Sequence, residues 1–150
     1  MEMEMDRDGL GSAFLRVELL RRQLLRPYFI ELGLTVGQGQ PRILKTLRSM
    51  GAMSQRELAD LCVLDVTTMS RTLDKLEKMG LVKRTDNPEC RRSWVISLTP
   101  AGEEKADKVI ELFKMADEVF SDGMTAEEVE RLYALMDVIE KNIEKHGEKI

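Results

Sequence analysis

Three scarcities narrow the possibilities before any motif is read. Aromatic residues make up 5% of the 150-residue chain, with a single Trp, while Met reaches 10. Sandwiches and barrels draw on aromatic and β-branched strands, so this balance favours helices. There are only two cysteines, Cys62 and Cys90, and one histidine, His146. With no CxxC pair and no second His, neither a zinc site nor a disulfide framework is indicated, and both thiols read as reduced. Long apolar runs are missing too. None approaches the roughly 18 to 20 residues of a bilayer span, and the acidic start Met1 to Asp8 lacks the basic region of a secretion signal. A cytoplasmic protein that does not meet the membrane is expected.

What the chain does have is enough apolar material for a core, 43% of residues, and a very uneven charge. Residues 1–39 carry 5 basic and 6 acidic side chains, residues 40–95 carry 11 and 7, and residues 96–150 carry 7 and 14. The segment charges of -1, +4 and -7 sum to the overall -4. A basic middle between acidic ends is the asymmetry expected when one segment meets phosphate and the others meet solvent or protein.

Residues 1–11 lack a packing period and are expected to be disordered. From Ser12, Leu15, Leu19, Leu20, Leu24, Tyr28 and Leu32 form the stripe of an amphipathic helix, with Pro27 expected to bend or interrupt it and Gly33 to stop it. A second helix carries Ile43, Leu44, Leu47 and Met50 up to Gly51. Because of Pro41, it either starts regularly near Gln38 or has a distorted first turn. Ser54 and Glu57 have the spacing of a capping box for a short third helix with Leu58, Ala59 and Leu61. Asp65 caps a fourth, with Val66, Met69, Leu73 and Leu76 inward and Gly80 at its end. Leu81–Thr85 and Trp94–Leu98 read as the two strands of a hairpin, with Asp86 to Glu89 opening its loop. Thr99-Pro100 starts a long helix to Phe120, and the box Thr125 to Glu128 starts another, with Val129, Leu132, Leu135, Met136, Ile139 and Ile143 on one side. The tail 147–150 is expected to fray.

Helix, helix, hairpin inside the only basic segment is the outline of a winged helix-turn-helix, in a mainly α protein with a small β-hairpin wing (α+β). In such a module the second helix of the pair enters the major groove. Its side opposite the apolar stripe carries Thr67, Thr68, Arg71, Lys75 and Lys78. Thr and Arg suit thymine methyls and guanine edges, and the lysines suit phosphates. Local capping is an equal alternative for Thr67 and Thr68. Arg91 and Arg92 at the hairpin tip suit a narrow minor groove. Ser54 and Gln55 at a helix start suit a phosphate, and Arg56, Ser70 and Arg84 complete the candidate set. The partner expected is double-stranded DNA.

The run LVKRTDNPECRRSWVISLTPAG, residues 81–102, resembles the wing signature of the MarR family of regulators. Leu34-Thr35, Ser54-Gln55-Arg56-Glu57-Leu58-Ala59 and Arg71 through Val82 resemble the same family, so the likeness spans roughly residues 12–145. It implies a homodimeric transcriptional regulator, a repressor on a pseudo-palindromic operator. Helices in 12–33 and 100–146 would dimerise, and residues 34–99 would form the DNA-binding lobe. It also implies a small aromatic or anionic effector in a cleft between the two parts, for which Arg16, Arg22 and Tyr28 are the candidates here. The family usually has Asp where this chain has Cys90, so the orientation of Arg91 and Arg92 is left open, and a redox-sensing role for Cys90 stands as an alternative. The peroxide-sensing branch of the family uses a cysteine in its first helix, and this chain has none there.

Catalysis lacks its parts: His146 stands alone, the cysteines have no neighbouring base, and Gly37-Gln38-Gly39 has neither the strand nor the third glycine of a nucleotide loop. No enzyme activity, metal or cofactor is expected. A winged helix that binds a protein instead of DNA is the other alternative.

Overall fold

A computed structural model describes residues 9–35, 37 and 39–147. The expectations for residues 1–8, for Gln38 and for 148–150 fall outside these. Two compact units divide after Ala116.

In the first unit, helix α1 spans Leu10–Glu31, two residues earlier than its apolar stripe suggests, so Leu10 and Gly11 are helical where disorder was expected. It also runs on through Pro27, so that of the bend or interruption expected there the interruption does not occur. Only the donor of residue 27 is lost there, and Leu25 and Phe29 on either side are buried in the core, so packing holds the turn together. The helix ends in a Schellman motif. Gly33 takes φ 74°, its N–H reaches Ile30 O at 2.9 Å, and Leu34 N–H reaches Phe29 O at 2.9 Å. The Lys105 ammonium donates to Leu32 O at 2.7 Å. Helix α2, Gln40–Met50, starts with Pro41 in its first turn, where the missing N–H costs nothing.

Helix α3 spans Gln55–Cys62 and α4 spans Val66–Lys78. Between them the chain turns on Val63, the only described non-glycine residue with positive φ, at 53°. Val63 N–H to Asp60 O and Leu64 N–H to Ala59 O complete a second Schellman motif at a position that normally takes glycine. The third, after α4, has Gly80 in that position with φ 75°.

The sheet has three strands where two were expected: β1 Met53–Ser54, β2 Val82–Asp86 and β3 Trp94–Leu98, all antiparallel in the order β1-β3-β2. Two residues leave no period to read, which is why β1 escapes pattern analysis. Met53 faces Ile96 across β3, and Ile96 also faces Arg84 on β2. Helix α5, Pro100–Phe120, follows at once, with Thr99 Oγ1 accepting from Gly102 N–H at 3.0 Å.

The core gathers side chains from each of these elements: Leu25, Ile43, Leu44, Leu58, Met69, Leu73, Leu76, Ile96 and Val109 are all essentially solvent-free. Trimming any of the leucines to Ala costs about 2 to 5 kcal/mol. Val66, Leu61 and Met50, expected on apolar helix faces, are on the surface instead, and Thr72 is buried in the place α4 had left for an apolar residue. Val66 is the first residue of α4, too early to reach the core-facing stripe.

In the second unit, α5 ends, Gly123 turns at φ 79°, and α6 spans Ala126–Gly147. Its capping box is reciprocal: Glu128 N–H to Thr125 Oγ1 at 3.1 Å, and Thr125 N–H to Glu128 Oε1 at 3.0 Å. No residue of α6 is buried, and Leu132, Leu135, Met136 and Ile143 lie open. Among the described residues no helix is long and apolar enough to cross a membrane.

Candidate nucleic-acid interface

Helix α4 is anchored from one side and open on the other. Asp65 caps it, its carboxylate accepting Thr68 N–H at 2.8 Å and Thr68 Oγ1–H at 2.7 Å. Those two bonds hold the Asp65 carboxyl below the usual carboxylate range. The Thr68 hydroxyl is thus engaged by the cap residue Asp65. Met69, Thr72, Leu73 and Leu76 face the core. On the opposite side, at about 100° per residue, Thr67, Arg71, Asp74, Lys75 and Lys78 share one exposed edge.

The cations of the basic segment sort by what they hold. Arg71, Lys78, Arg91, Arg92 and Arg56 are exposed and make no hydrogen bond or ion pair among the described residues. Lys75, on the same edge, does have an interaction within the protein. Arg84 is the opposite case. Its side chain is only 15% exposed, Nη1 lies 2.6 Å from Asp74 Oδ1, and Nη2 donates to Ser70 O at 2.9 Å. Of the candidate contacts read from sequence, Arg84 thus faces α4 and Ser70 offers it a carbonyl. Asp74, its partner, carried no signal in a reading that looked for cations.

The hairpin loop is built from turns, with Asn87 Oδ1 accepting Glu89 N–H, Asn87 O accepting Cys90 N–H, and Cys90 O accepting Ser93 N–H. These leave Arg91 and Arg92 outward beside an exposed Cys90 thiol. Ser54 Oγ accepts Glu57 N–H at 3.1 Å as the cap of α3, and Gln55 follows, half buried, its Oε1 without a partner.

A second feature of the first unit is a cavity of about 320 Å³ between α1, the start of α2 and α5, walled by Glu18, Arg21, Arg22, Arg42, Phe29 and Phe113 among others. Three guanidiniums against one carboxylate leave it net positive. Arg21 sits 5.4 Å from the centroid of the Phe113 ring, which Phe29 meets edge-on at 5.6 Å. Of the three effector candidates only Arg22 lines it. Arg16 and Tyr28 each stand six positions from Arg22, about 240° around the helix, on another face. Arg42 Nη1 donates to Cys62 O at 2.8 Å, and burial pushes the Cys62 thiol up, as expected of a packing residue.

The MarR family model matches residues 37–94, the segment holding α2 to α4, β2 and the hairpin loop up to the start of β3. A helix-turn-helix transcriptional regulator of Bacillus subtilis, YybA, is 32% identical over 126 residues, 81% of this chain and 80% of that protein. The chain belongs to the MarR family. A MarR-family transcriptional regulator from Silicibacter pomeroyi shares the fold at a TM-score of 0.78 and 26% identity, covering 95% of this chain and 96% of that one. A cysteine-to-serine mutant of MarR from E. coli, complexed with operator DNA, has a TM-score of 0.78 at 24% identity and covers 93% of this chain and 99% of that one. As a family member, the chain is a transcriptional regulator rather than an enzyme. At Cys90 the side chain supplies no carboxylate to hold the neighbouring arginines, and the loop turns use backbone groups instead.

Proposed function

We propose that this MarR-family chain acts in the cytoplasm as a homodimeric repressor that reads a pseudo-palindromic duplex operator. The observation that carries the proposal is the set of uncommitted cations: Arg71 on the open edge of α4, and Arg91 and Arg92 at the wing tip, exposed and unpaired among the described residues. Arg84 and Arg48, by contrast, are held by carboxylates of the chain itself. Arg71 with Thr67 would read base edges, Lys75 and Lys78 would meet phosphates, and the start of α3 at Ser54, Gln55 and Arg56 would take another phosphate. Open apolar side chains on α1 and α6 supply surface for a second copy, and a two-fold dimer presents its recognition helices about 10 base pairs apart.

The test is selection of bound sequences from random duplexes at two salt concentrations, with wild type and Arg71→Ala. Enrichment of an inverted repeat that the variant no longer enriches supports the proposal, and no enrichment by folded wild type refutes it. The cationic cavity with aromatic walls favours a second element, release by a small anionic aromatic effector bound by Arg21, Arg22 and Arg42. Such a ligand lowers operator affinity only through unequal binding to the two lobe spacings of the dimer. Benzoate titrated into wild type and Arg22→Ala tests this: binding lost in the variant, with operator affinity reduced by ligand in wild type, is the expected pair of results.

A further inference from the structure

Arg84 lies in β2 on the same face as buried Val82, two residues along the strand, and so it points at the flank of α4 rather than outward. Its guanidinium forks onto two groups one helical turn apart: the Asp74 carboxylate at 2.6 Å and the Ser70 carbonyl at 2.9 Å. The remaining nitrogen, Nε, is buried without a partner. A planar fork with two attachments fixes both the slide and the rotation of one element against the other, which a single flexible ion pair does not. The two elements so joined are the ones that carry the free cations, Arg71 on α4 and Arg91 and Arg92 at the end of the β2–β3 hairpin. Asp74 itself stays 55% exposed, on the edge of α4 that it shares with Thr67 and Arg71.

We infer that Arg84 is a positioning residue for operator recognition. It locks the wing to the recognition helix through Asp74 and Ser70 without itself touching DNA. The inference rests on the DNA-binding reading above. It separates Arg84 from the cations that would meet phosphate, although all of them lie in one basic segment.

The experiment compares wild type, Arg84→Met, Asp74→Asn and the double variant, each as the full-length chain at a temperature where thermal unfolding shows it folded. Affinity is measured for a selected operator and for random duplex, across a salt series. Positioning predicts that Arg84→Met loses about tenfold or more in operator affinity, the worth of one charge-assisted hydrogen bond, while affinity for random duplex and the salt slope stay at wild-type values. Asp74→Asn loses operator affinity in the same way, and the double variant is no worse than the poorer single. A slope smaller by about 0.9 in Arg84→Met would show a lost phosphate contact and overturn the inference. Additive losses, or operator affinity unchanged in folded Arg84→Met, would overturn it as well. Wild type that binds no duplex at all would instead remove the DNA-binding reading on which the inference stands.

Discussion

Replacing Gly102 by Ala tests how the wing is seated on α5. A methyl group there would lie 1.9 Å from the Leu81 carbonyl oxygen and 2.9 Å from its carbon, against 3.4 Å for ordinary contact. The obstacle is backbone, so no rotamer change relieves it, and the helix start must move by about 1.5 Å, the difference between those two oxygen distances. It is not free to move. Leu81 O accepts Thr99 N–H at 3.0 Å, and Thr99 Oγ1 donates to Gly80 O at 2.6 Å while accepting Gly102 N–H at 3.0 Å. Overpacking of this kind costs about 1 to 3 kcal/mol, and loss of one or two of these hydrogen bonds adds about 1 each. Against that, Ala gains about 1 kcal/mol in helix propensity. The net expectation is a destabilisation of about 1 to 4 kcal/mol, or a fall of about 3 to 12 °C in Tm. Urea and thermal unfolding at fixed protein concentration read it, with Gly11→Ala as the matched control. Gly11 lies in α1 with ordinary φ and open space around it, and its substitution should be neutral or slightly stabilising. A Gly102→Ala protein within about 0.5 kcal/mol of wild type, the scatter of an inert surface change, would refute the close approach of α5 to Leu81.

Three other perturbations have definite expected outcomes. Val63 is 84% exposed and left-handed, so Val63→Gly loses no packing. It relieves about 1 to 2 kcal/mol of backbone strain against about 0.5 to 1 of added chain entropy, and chemical denaturation should show a stabilisation of up to about 1.5 kcal/mol. Phe113→Ala removes the ring that Phe29 meets edge-on and should cost about 3 to 5 kcal/mol in the same assay. The carboxyls of Asp65, Asp107 and Glu128 are all held below their ordinary values of 3.8, 3.8 and 4.5 by hydrogen bonds to Thr68, Arg48 and Thr125. Folded values below unfolded ones mean that their contribution is complete above about pH 4.5 and is lost as pH falls through the folded values. Unfolding midpoints should therefore drop on acidification below that pH, and the drop should shrink in Asp65→Asn with Glu128→Gln.

Much of this arrangement could be read from residue order, and the misses have identifiable causes. Caps were legible because they are local: Ser54, Asp65, Thr99 and Thr125 each satisfy a donor three residues on, a relation written in adjacent letters. Strand β1 was not, since its pairing partner Ile96 lies 43 positions away and two residues show no alternation. That the helix would continue past Pro27 was not legible, because propensity says nothing of the burial of Leu25 and Phe29 on either side. At the candidate interface, residue type alone put Arg71 and Arg84 in the same class. Only the fold brings Asp74 and the Ser70 carbonyl to Arg84 and leaves Arg71 open. The cavity shows the same limit. Arg22 was accessible as a cation on α1, whereas Arg42 and Phe113 join it through α2 and α5, contacts that a single helix stripe does not reveal.

Hydroxyl-radical footprinting of the wild-type chain on its selected operator, repeated with Arg91 and Arg92 both changed to Ala, tests the central claim most directly. Two symmetric protected tracts about one helical turn apart, about 10 base pairs, with flanking minor-groove protection that disappears in the wing variant, are the expected pattern. A single asymmetric tract, or protection unchanged without the wing arginines, would contradict a dimer that reads DNA with α4 and its wing.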